Sequence, residues 1–163
     1  MRRLMLPFLL VFGLALPAQA QNWSVFKSDR FGFAMLVAPG TKWAARDFGQ
    51  GWGGIGAKIG VLEFVAIVKL GYFAPPKELG AAAILLTGVP ASAWSKSDEG
   101  KGQAGWNWWQ TYQVRNNAAG RLLFTVLGTG KRGSYILFLG TSQADFAAHN
   151  ALYQQWYRSL TLY

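Results

Sequence analysis

The chain has 163 residues with 16 Lys and Arg against 7 Asp and Glu, a formal charge of +9, one His, no Cys and a hydrophobic share of 52%. The lack of Cys excludes a disulfide framework, a thiolate metal site and a Cys nucleophile, and a single His argues against a His-based metal centre. The cationic excess suits contact with phospholipid headgroups, cell-wall polymers or acidic proteins, or else serves only solubility.

At the start, Arg2 and Arg3 precede an apolar stretch from Leu4 to Leu16, and Pro17 leads into Ala18-Gln19-Ala20. This reads as a bacterial export signal, residues 1–20, cleaved after Ala20. The stretch is short of the roughly 20 residues that a spanning helix needs, so no transmembrane anchor is expected in the mature form. No Cys follows the cleavage site, which excludes lipid attachment at that residue. The expected product is a single α+β domain, residues 21–163, whose charge is +9 less Arg2 and Arg3, or +7. It is expected in the periplasm or secreted, where nucleic acid is not a partner.

Trp23-Ser24-Val25-Phe26 and Phe31 to Val37 predict an opening hairpin around the turn Lys27-Ser28-Asp29-Arg30, ended by Pro39-Gly40. A glycine-rich segment, Gly49 to Gly60, reads as a loop and precedes the β-branched run Val61 to Val68, which predicts a buried or half-buried strand. Glu63 interrupts that strand on one face; it either faces solvent, the favoured reading, or pairs with a neighbouring Lys or Arg. Pro75-Pro76 breaks the chain ahead of an alanine-rich helix from Lys77 to about Leu86, stopped by Gly88 and Pro90. Ala91 to Gly105 is small, polar and charged, and reads as a mobile surface loop.

Alternation of Trp106, Trp108, Gln110, Tyr112 and Val114 with Asn107, Trp109, Thr111, Gln113 and Arg115 predicts a strand. Arg121–Thr129 and Ser134–Gly140 come next as strands joined by the tight basic turn Gly130-Lys131-Arg132-Gly133, giving an antiparallel meander. Ser142 and Asp145 form a capping box that opens a helix through Tyr157. At 100° per residue, Phe146, His149, Leu152, Tyr153, Trp156, Tyr157 and Leu160 fall within about 140° of arc, leaving Ala151, Gln154 and Arg158 outside.

Two stretches, Gly51 to Gly56 and Gly100 to Gly105, match the letters of the G-x-G-x-x-G dinucleotide pattern. Strand-like residues come after both, where pyrophosphate binding needs a helix, so nucleotide binding is rejected and no cofactor is expected. His149 lies in the apolar stripe and reads as a structural histidine that Asp145, one turn earlier, is able to orient. Asp98-Glu99 lacks the alternating oxygen ligands of a calcium loop and reads as a solvated turn; no metal site is expected. The densest aromatic cluster, Trp106, Trp108, Trp109 and Tyr112, is the candidate binding patch. Because strand neighbours alternate, Trp109 is expected to point away from Trp106 and Trp108, against a packed helix, a ligand or a protein partner. Lys131 and Arg132, with Lys96 and Lys101, are its candidate basic rim.

The order of elements, with Phe31-Gly32-Phe33, Pro39-Gly40, Asp145-Phe146 and Ser159-Leu160, resembles the Mog1/PsbP-like α/β/α sandwich family. The resemblance implies an antiparallel sheet with flanking helices and a non-enzymatic domain that binds another protein or assists assembly. It transfers no catalytic or metal residue. The expected function is an exported, non-catalytic binding or accessory protein of the cell envelope, whose partner is an envelope protein or an anionic envelope surface. The alternatives are an immunity or inhibitor protein against an envelope-acting enzyme, or an envelope hydrolase using His149 and Asp145.

Overall fold

The computed structural model of the protein describes residues 22–163; the export signal expected over residues 1–20 lies outside them. In chain order the elements are strands β1 (Ser24–Ser28), β2 (Phe33–Val37), β3 (Ala44–Gly49), β4 (Trp52–Ile59) and β5 (Leu62–Leu70), helix α1 (Pro76–Thr87), strands β6 (Trp94–Lys101), β7 (Trp106–Asn116), β8 (Arg121–Gly130) and β9 (Gly133–Ser142), helix α2 (Gln143–Ser159) and strand β10 (Thr161–Leu162). One antiparallel sheet has the order β3-β4-β5-β9-β8-β7-β6, and a small one has the order β1-β2-β10. The architecture is the expected α+β arrangement of an antiparallel sheet with flanking helices.

Period-two patterning divides the large sheet between two cores. Phe64, Ala66, Val68, Phe124, Val126, Tyr135, Leu137 and Leu139 face the small sheet and α2, where Phe33, Met35, Tyr153 and Trp156 meet them. Val65, Ile67, Leu123, Leu127, Ile136 and Phe138 face the other way, toward Leu79 and Ala83 of α1. Covered on both faces, β8 and β9 are buried over almost their whole length, which is why they read as continuous apolar runs.

Helix α1 begins and ends, and α2 begins, as their sequences direct, while α2 runs on past the expected Tyr157 to Ser159. Pro76 occupies the first turn of α1, and Gly88, at φ 67°, closes it by donating its N–H to the Ile84 carbonyl at 3.0 Å. Ser142 caps α2 by accepting the Asp145 N–H at 3.1 Å. The meander of β7, β8 and β9 is as expected.

Three expectations are corrected. The glycine-rich segment 49–60 is mostly strand β4, paired with β3 on one side and β5 on the other. Its glycines serve packing: a Cβ on Gly54 would enter the Ala66 carbonyl, and one on Gly56 would meet the Arg46 guanidinium. The supposed mobile loop 91–105 is a 3₁₀ turn, Ala91–Ala93, followed by β6. As an outer strand exposed along its length, β6 carries charges with no apolar face to betray it. Glu63 is paired, its carboxylate 3.4 Å from the Arg121 guanidinium and 3.8 Å from that of Arg46. The cations come from β3 and β8, each one strand beyond the immediate neighbours of β5, an alignment that sequence alone does not give.

Candidate functional site

The aromatic strand β7 does not keep its alternation. Trp106 pairs with Gly130 and Trp108 with the adjacent Thr129, so Asn107 is an extra residue and the ladder bulges there. The bulge reverses the face of Trp106. Trp106 and Trp109 therefore lie on one side of the sheet and Trp108 on the other, correcting the expectation that Trp109 opposes both. Gly128 on β8 makes room, since a Cβ there would strike the Trp108 carbonyl and the Trp106 ring. Gly128→Ala is expected to cost about 2 kcal/mol or more in urea unfolding, because the clash is with backbone that has nowhere to move.

Helix α2 lies over β8 and β9 and leaves the outer part of β7 uncovered on this side. The result is a groove of about 510 Å³ between α2 and strands β6 and β7. Trp109, half-buried, forms part of its floor with Trp106; Tyr157, Gln154 and Arg158 come from α2, and Asp98 from β6. The Trp106 indole N–H points to the Leu160 carbonyl at 3.4 Å, and the Tyr157 hydroxyl donates to the Tyr112 carbonyl at 2.6 Å. Burial raises the Tyr157 pKa well above the usual phenol range, so it remains a donor. The groove thus presents an aromatic floor with a cation, a carboxylate and amides on its rim.

Only Trp106 and Trp109 of the expected patch reach this groove. Trp108 and Tyr112 pack in the core that α1 covers, where Trp94 meets Tyr112 edge-on at 5.6 Å. Lys131 is exposed at the β8–β9 turn, and Arg132 ties that turn to the opening hairpin, donating to the carbonyls of Asp29 at 2.7 Å and Arg30 at 2.9 Å. Neither lines the groove; its cation is Arg158. Lys96 pairs with Glu99 at 3.1 Å. Gln154 and Arg158 were legible only as residues beside the apolar stripe of α2, four apart and flanking Tyr157.

Asp145 and His149 do come together. The His149 Nδ1 lies 3.2 Å from the Asp145 carboxylate, at a point where His149 adopts φ −129° and kinks α2. Asp145 also accepts the hydroxyls of Thr141, at 2.7 Å, and of Tyr153. They border a second groove of about 510 Å³, with Trp23, Pro39 and Leu62 in its walls and no serine, threonine or lysine among the residues lining it. The network clamps the first turns of α2 to β9.

Burial pushes the Asp145 carboxyl up, but the Thr141 and Tyr153 hydroxyls and the neighbouring His149 outweigh it and hold its pKa below the ordinary 3.8. Such a group contributes stability that is full above the unfolded value and lost as pH falls through the lower folded value. Asp145→Asn is therefore expected to be less stable than wild type by about 1–2 kcal/mol near pH 6. Urea melts are expected to show that gap closing below pH 3.8.

Among the described residues, no group of three or more His, Asp or Glu is placed to hold a metal ion, and no helix is long and apolar enough to cross a membrane. The layered antiparallel sheet with its two flanking helices has a PsbP-like fold. The solution structure of cyanobacterial PsbP (CyanoP) from Synechocystis sp. PCC 6803 matches this chain with a TM-score of 0.57 at 13% sequence identity, over 93% of this chain and 99% of that one. No family model and no curated protein matches the sequence.

Proposed function

We propose that this is an exported, non-catalytic accessory protein of the bacterial cell envelope that holds a partner protein in the groove floored by Trp109. The observation that carries the reading is Trp109 itself: a large ring on the sheet that α2 leaves uncovered, in a groove rimmed by Arg158, Gln154 and Asp98. Aromatic anchors with polar rims are what protein partners bury. The export signal read from residues 1–20 supports an envelope location. The binding and assembly roles implied by the Mog1/PsbP-like resemblance support an accessory role.

His149 and Asp145 are read as part of the helix clamp, since the Asp145 carboxylate is already committed to Thr141 and Tyr153. A crosslinking pull-down from envelope extract, at low and high salt, tests the proposal. One dominant stoichiometric protein that persists at high salt is expected, and a toxin or hydrolase in that place would specify an immunity or inhibitor role. Capture of no protein would overturn it.

A further inference from the structure

We infer that the end of the large sheet carrying the loop between β5 and α1 is a docking surface for an anionic phospholipid bilayer, with Leu70 and Phe73 entering the headgroup layer. This inference is independent of the groove and goes beyond it. Leu70 is 45% exposed and Phe73 55%, and Tyr163, 47% exposed, lies at the same end. Their exposure is held in place rather than left to a floppy loop. The Ser134 hydroxyl donates to the Tyr72 carbonyl at 2.7 Å and accepts the Ala74 N–H at 3.0 Å, pinning the backbone on both sides of Phe73. Gly71 donates its N–H to the Arg132 carbonyl at 2.8 Å, and Pro75-Pro76 stiffens the entry to α1. Exposed apolar side chains gathered at one end and rimmed by polar residues mark an interaction surface, which single scattered ones do not.

Cations surround it. Lys69 lies 4.6 Å from the Tyr72 ring centre, and Arg30 5.1 Å from that of Phe31. The Arg132 bonds to the opening hairpin bring Arg30 beside Lys131, while Lys77 starts α1 and Lys101 ends β6 at this same end. None of these six makes an ion pair among the described residues. The carboxylates here, Asp29, Asp47, Glu78 and Glu99, are fewer, and each accepts a hydrogen bond from within the protein. Apolar and aromatic tips ringed by snorkelling Lys and Arg suit a soft anionic interface, where the rings sit at headgroup depth and the cations meet phosphate. These tips protrude at strand ends and line neither groove, so the shape fits a deformable layer.

The test is sedimentation with vesicles of phosphatidylcholine, with and without phosphatidylglycerol, using the protein expressed from its own start and purified from the host envelope. Binding to the phosphatidylglycerol vesicles and little to pure phosphatidylcholine is expected. Leu70→Ser with Phe73→Ser is expected to lower partitioning about tenfold, and Lys77→Glu with Lys131→Glu to erase the preference for the anionic lipid. Leu85→Ser, which alters a side chain 74% exposed near the far end of α1, is expected to bind as wild type. All these side chains are solvent-exposed, so folding is unaffected and each arm is readable. No binding to the anionic vesicles, or tip variants that bind like wild type, would overturn the inference.

Discussion

Trp156→Ala is expected to remove about 3–5 kcal/mol of folding stability, the largest effect of any single change proposed for this protein. Trp156 is fully buried at 0% exposure, on the face of α2 that meets Phe33, Met35 and the large sheet. Alanine there leaves a cavity that flanking strands, hydrogen-bonded on both edges, are unable to close. The indole N–H has no hydrogen-bond partner among the described residues, so the ring contributes through packing and not through its polar atom. Trp156→Phe is accordingly expected to cost much less, about 1–2 kcal/mol. Urea unfolding of both variants checks this. A loss below about 1 kcal/mol for Trp156→Ala would mean that α2 is held on the sheet by other contacts. The consequence reaches function, because α2 supplies the wall of the Trp109 groove through Gln154, Tyr157 and Arg158.

Trp109→Ala is expected to separate binding from folding. The ring is half-buried and touches the core only at its margin, so its removal is expected to cost about 1–2 kcal/mol of stability while partner capture falls tenfold or more. Trp108→Ala is the informative contrast. Its ring belongs to the opposite core, so it is expected to lose at least as much stability with capture retained in the folded fraction. Equal capture by wild type and Trp109→Ala would remove the groove from the proposal, and a stability loss on the order of 3 kcal/mol or more would make Trp109 a core residue.

Much of the fold was legible because the signals are local. Pro76 and Gly88 bracket α1, Ser142 caps α2, and the apolar runs between Arg121 and Gly140 mark two strands buried on both faces. The errors fall where a local signal is weak or misleading. Glycine in β4 reads as loop until the Ala66 carbonyl and Arg46 are seen to occupy the space that a Cβ would need. In β6 the polar residues read as loop because an outer strand exposed to water has no apolar face to advertise. Of the candidate site, Trp106 and Trp109 were recognised, whereas the residues that complete the groove were not, since they come from α2 and from a strand taken for a loop.

By itself the sequence determined the charge, the absence of thiol chemistry, the helix starts and the meander, since each stems from residue type or short-range periodicity; the PsbP-like layering was implied by the family resemblance. Only the tertiary structure decided which face each tryptophan takes, which cation Glu63 meets and where the groove lies. One extra residue at Asn107 inverts the register on that side, and a period-two pattern carries no record of where the partner strand slips.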